Sequence, residues 1–66
     1  MTLEELIAYT NPNTVIELFD AKENESIGVY DGVDEVPDEY NYCEIADIFV
    51  DRNKLCVKIS LEDFDI

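Results

Sequence analysis

The last third of the chain carries its strongest constraint. "EIADIFVD" and "KLCVKISL" are β-rich runs on either side of Arg52-Asn53. A two-residue loop there sets Val50 opposite Leu55, Ile48 opposite Val57 and Ala46 opposite Ile59, all apolar and all on one face. The other face pairs Asp51 with Lys54, Phe49 with Cys56 and Asp47 with Lys58. Two of those pairs join opposite charges, each worth roughly a few tenths of a kcal/mol. A one-residue slip would scramble both faces, so the register is well specified. The same register puts Cys43 far along the ladder from Cys56, near Glu62. No internal disulfide is expected, because bridged Cα atoms lie within about 7 Å.

The earlier segments read in the same way. "TLEELIAYT" is a short helix: Thr2 caps it, Glu5 stands at the capping-box position, and Leu3, Leu6 and Ile7 form a narrow apolar stripe. Asn11-Pro12-Asn13 ends it, since Pro12 disfavours helix at the residue before it. "TVIELFDA" and "SIGVYD" are strand-like. With Glu23-Asn24 as their loop, Leu18 faces Val29 and Ile16 faces Asp31. Ile16, Leu18, Ile27 and Val29 then share the core face, and Val15, Glu17, Phe19 and Tyr30 the other. The expected fold is α+β, a short N-terminal helix packed on a small antiparallel sheet of two β-hairpins, with residues 1–66 as a single domain. The acidic tail "EDFDI" is expected to fray, with docking of Phe64 and Ile66 as the alternative.

Charge limits the function. The chain of 66 residues has 17 Asp plus Glu, 4 Lys plus Arg and no His, a net charge of -13. Its 47% hydrophobic content is too high for a disordered acidic tail, so a folded domain is expected. Such a surface repels nucleic acid and anionic membranes and attracts basic proteins. The opening "MTLEE" is acidic where a secretion signal is basic, and no apolar run approaches the roughly 18 residues of a membrane span. Two cysteines outside any C-x-x-C pair indicate neither a disulfide framework nor zinc. A cytoplasmic, reduced protein is the plain expectation.

"YDGVDEVPDEYNY", residues 30–42, holds five carboxylates, three tyrosines and no basic residue. As a calcium loop it fails: counting from Asp31, the third position is Val33 and the sixth, where an EF-hand needs Gly, is Val36. It reads instead as a connection, in which Gly32 turns the chain and Pro37 starts a helical turn, "PDEY". Catalysis lacks its usual base, Ser26 and Ser60 have no base partner nearby in sequence, and nothing electropositive surrounds Cys43. No enzyme, cofactor or metal is expected.

An anionic interaction surface fits better. Same-face carboxylates on a strand repeat every 6.5–7 Å or so, close to the phosphate spacing of one nucleic-acid strand. Asp31, Asp34, Glu35, Asp38 and Glu39 would line one rim, with Glu17, Asp20, Glu23 and Glu25 on a neighbouring one. Tyr40 and Tyr42 would add interface anchors. Phe19, Phe49 and Cys56 would form an apolar patch on the second sheet face. The partner implied is a basic, nucleic-acid-binding protein; the alternative is an interaction module that dimerises through Phe19 and Phe49.

The layout resembles short acidic proteins of phages and mobile elements of low-GC Gram-positive bacteria. The shared features are an L-x-E-L-I-like helix (Leu3-Glu4-Glu5-Leu6-Ile7), a T-V-I-E-L-F-D-like strand at residues 14–20, a V-P turn at Val36-Pro37 and an N-x-L-x-V-x-I-like last strand at residues 53–59. Some proteins of that kind are anti-CRISPRs. The resemblance implies a non-catalytic inhibitor, acting in the bacterial cytoplasm, that blocks the DNA- or PAM-binding groove of a CRISPR nuclease. It carries over no site residue.

Overall fold

The computed structural model describes residues 1–61. The expectations for "EDFDI", for Phe64 and Ile66, and for Cys43 near Glu62 lie outside the described residues.

Helix α1 (Leu3–Ala8) begins as its sequence dictates. Thr2 Oγ1 accepts from the Glu5 amide, and Glu5 Oε1 accepts from the Thr2 amide at 3.1 Å. These two bonds satisfy donors that a helix start leaves orphaned. Leu3 is buried, and Leu6 and Ile7 pack against the core.

Four strands follow: β1 (Ile16–Asp20), β2 (Glu25–Tyr30), β3 (Ile45–Asp51) and β4 (Lys54–Ile59). They form one sheet in the order β2-β1-β4-β3. Each hairpin is antiparallel, but β1 and β4 meet in the centre as parallel neighbours. The sheet is therefore mixed, which corrects the expected all-antiparallel pair of hairpins. Parallel neighbours need a long crossover, and the whole chain between β1 and β4 supplies it.

The β3–β4 register follows the sequence pattern from Asp47–Lys58 to Asp51–Lys54. Arg52 (φ 51) and Asn53 (φ 65) are both left-handed, as a type I′ loop requires. At the far end Ile45, not Ala46, pairs with Ile59, and Ala46 is the extra residue of a bulge.

The β1–β2 register differs from the expected one. The turn takes residues 21–24, because Asp20 holds it: its carboxylate accepts from the Lys22 amide and its carbonyl accepts from the Asn24 amide at 2.7 Å. A shift of register follows between Leu18 and Phe19. Ile16 pairs with Tyr30 and Leu18 with Gly28, one residue from the expected pairs. Such a slip exchanges the faces of a strand. Tyr30 accordingly packs on the core, while Val29 is 52% exposed. Ile27, at the irregularity, still packs against the core.

The core lies on one face of the sheet: Leu3, Ile16, Leu18, Val36, Cys43, Val57 and Ile59. Helix α1 covers it only in part. The segment of residues 31–43 runs from one sheet edge to the other across the same face, through two 3-10 turns at Val33–Glu35 and Asp38–Tyr40. Its Val33, Val36, Tyr40 and Cys43 point inward.

Candidate functional site

The acidic stretch is a lid over the core. Its apolar residues recur at spacings of three, four and three, the period of a helical path, and they fasten it to the sheet. Asp31, Asp34, Glu35, Asp38 and Glu39 are all exposed on its outer side. The lid is tied at both ends. Gly32, at φ 145, lets the Val33 amide reach the Pro12 carbonyl at 3.2 Å. At the other end the Leu3 and Glu4 amides donate to the Cys43 and Asn41 carbonyls, each at 3.0 Å. Glu4 and Glu5, exposed at the start of α1, thus lie beside the end of the lid. The chain has no Lys or Arg between positions 23 and 51, so the lid itself carries charge of one sign.

Asp34, Glu35, Asp38 and Glu39 stand on 3-10 turns and Asp31 on the bend before them, none of them on a strand. The strand repeat anticipated from the sequence therefore does not describe them. The tyrosines separate. Tyr42 is 78% exposed, whereas Tyr40 is half-buried against the core, where burial first and the charge of Glu39 second push its phenol pKa up.

Glu17, Phe19 and Phe49 lie on the opposite face of the sheet, away from the lid. Glu17 is committed within the fold: its Oε1 accepts from Lys54 Nζ and its Oε2 from Ser26 Oγ, both at 2.7 Å. The Lys54 bond, then the Ser26 bond, lower its pKa, and the same contact raises that of Lys54. Lys54 therefore joins Glu17 of the neighbouring parallel strand, although Asp51 is its hairpin partner. The rings of Phe19 and Phe49 lie 5.8 Å apart, with Lys58 Nζ 5.9 Å from the Phe49 centroid. Cys56, the cross-strand partner of Phe49, is buried. Burial, and after it the charge of Glu17, raises its thiol pKa. The expected grouping of Phe19, Phe49 and Cys56 is present.

Sequence reasoning missed the outer edge of β3. Ile48 and Val50 lie on the core side of the sheet, yet they are 41% and 73% exposed. Alternation gives the face of a residue but not the extent of its cover. Among the described residues, no three His, Cys, Asp or Glu side chains converge as a metal-holding group, and no helix is long and apolar enough to cross a membrane. No family model, curated protein or solved structure matches the chain.

Proposed function

We propose that the chain is a non-catalytic binding protein whose acidic lid occupies a basic groove on a partner, a groove that otherwise receives nucleic acid. The observation that carries this reading is the lid itself. Five exposed carboxylates are held outward by inward valines, in a stretch without a cation. A fixed anionic surface on a chain of net charge -13 raises the encounter rate with a basic groove and competes with phosphate for it. Inhibition of a nucleic-acid enzyme in the manner of an anti-CRISPR, with a CRISPR nuclease as the partner, is the biological form this reading takes. The dimer reading is less favoured. Phe19 and Phe49 lie against each other beside the buried Cys56, which uses part of their apolar area inside one protomer, although Phe49 stays 37% exposed.

The test is a pull-down from bacterial lysate with the wild type and with D34N/E35Q/D38N/E39Q. Partner and bait should separate on addition of duplex DNA or high salt, and the quadruple variant should retain little. A partner held equally by both proteins, or unmoved by competing DNA, overturns the reading.

A further inference from the structure

Beyond the lid, the edge of β3, which no strand among the described residues pairs past Ile45, is a second candidate surface. The two-residue loop makes Asp51 and Lys54 a hydrogen-bonded pair. Antiparallel alternation then turns the N–H and C=O groups of Val50 and Ile48 away from β4, toward solvent. At the start of β3 the edge already carries an isolated antiparallel bridge from the N-terminal residues. Thr2 bridges Glu44 in antiparallel sense, the Ile45 amide donates to the Met1 carbonyl at 2.9 Å, and the Leu3 amide to the Cys43 carbonyl. Past Ile45, Ile48, Phe49 and Val50 are all exposed apolar residues. The outward Ile48 amide is held by the carboxylate of its own neighbour, Asp47, at 2.9 Å. Local masking of this kind is a recognised protection of a sheet edge.

We infer that residues 47–51 of β3 dock an extended, basic segment of a partner protein, which adds a fifth strand in line with Met1-Thr2-Leu3. The pattern of the guest follows from the edge. Opposite Ile48 and Val50 it places apolar side chains beside the lid-side face, and its amides and carbonyls at those two positions exchange bonds with β3. Opposite Asp47 and Asp51 it places Lys or Arg. To bind, it displaces the Asp47 carboxylate from the Ile48 amide, and a facing cation receives that carboxylate. The edge strand itself carries Asp47 and Asp51 and no cation. A second copy of the chain is the poorer guest, since it brings a net charge of -13 against -13. In the antiparallel register centred on Phe49 it would also set Asp47 against Asp51, and facing like charges destabilise a ladder.

The test uses a capped synthetic peptide, Lys-Val-Thr-Val-Lys, titrated to millimolar concentration into labelled protein and read by amide chemical shift and hydrogen exchange. The Val50 and Ile48 amides should shift, and exchange at Val50 should slow by about tenfold or more at saturation. The same peptide N-methylated at both valines should give no protection, because it keeps the charge and loses the bonds. Val50→Pro should also abolish the peptide-induced shift of the Ile48 amide, since the lost Val50 amide faces outward and its loss leaves the β3–β4 ladder intact. Protection should persist in D34N/E35Q/D38N/E39Q, so failure of the lid reading and failure of this one are separable. Absence of protection, equal binding of the N-methylated peptide, or shifts confined to residues 31–39 overturns the inference. Val50 protection that grows with protein concentration in the absence of peptide also overturns it, in favour of a second copy.

Discussion

Lys54 on β4 donates to Glu17 on β1 at 2.7 Å, across the parallel junction between the two hairpins. The pair is half-shielded, with side-chain exposures of 29% and 13%, so salt screens it less than an open surface pair. It closes the sheet on the face that the lid does not cover. The contact holds Glu17 below its ordinary pKa of 4.5 and Lys54 above its ordinary 10.5.

A pH dependence follows. A carboxylate whose folded pKa is depressed contributes stability above its unfolded pKa and loses it as pH falls through the folded value. For Lys54, with a raised pKa, the contribution is present below the unfolded value and lost as pH rises through the folded one. The melting-temperature gap between wild type and Glu17→Gln should therefore be constant across about pH 6–9 and should close in acid below the ordinary carboxylate range. A gap that persists unchanged in acid would show that ionisation of Glu17 contributes nothing.

The second prediction compares isoleucines. Ile59 is fully buried, whereas Ile48 is 41% exposed on the same side of the sheet. Ile59→Ala should cost about 2–5 kcal/mol, a large fraction of the stability of so small a domain. Ile48→Ala should cost about 1 kcal/mol, because little cavity is left behind. Urea titration of both variants checks this, and comparable losses would mean that the β3 edge is covered in solution.

The pattern of Ile48 shows where the sequence was readable. Its pairing with Val57 follows from strict alternation around Arg52-Asn53, a local signal. Its exposure depends on cover, and a helix of six residues spans only about 9 Å. The Thr2–Glu5 capping box was legible for the same local reason. The β1–β2 slip was not, because the Asp20 carboxylate and the left-handed Asn24 make a longer turn than Glu23-Asn24 alone suggests. Parallel pairing of β1 with β4 joins segments about forty residues apart, and no local pattern encodes it. In the lid, the turn at Gly32 and the helical turn at "PDEY" were legible from local signals, whereas the inward period of Val33, Val36 and Tyr40 was masked by the five surrounding carboxylates.

Cys56 offers a probe of the face opposite the lid. Its thiol is buried and its pKa raised, both of which slow alkylation. Native protein should react slowly with a maleimide at neutral pH, and Phe49→Ala should accelerate labelling of Cys56 more than that of Cys43, which lies in the core on the other face. Peptide mapping of the labelled protein reads the two sites separately. Equal acceleration at both would mean global loosening and would remove Phe49 as the cover of Cys56.

The last prediction concerns the hinge of the lid. Gly32 sits at φ 145 and ψ 161, a region essentially closed to residues with a Cβ. A Cβ there would also stand 2.8 Å from the Pro12 carbonyl oxygen. That oxygen is backbone and accepts from the Val33 amide, so it cannot withdraw without loss of the bond that starts the lid. Gly32→Ala should cost about 1–3 kcal/mol from backbone strain alone. Gly28 is the control. A Cβ there also meets an atom at 2.8 Å, but that atom is the Tyr30 hydroxyl, the far end of a side chain able to rotate. Gly28→Ala should therefore be milder, and any loss should come with movement of Tyr30, visible in the chemical shifts of its ring protons. Thermal melts of the two variants decide the matter, and a Gly32→Ala protein as stable as wild type would show that the lid is not anchored at Pro12.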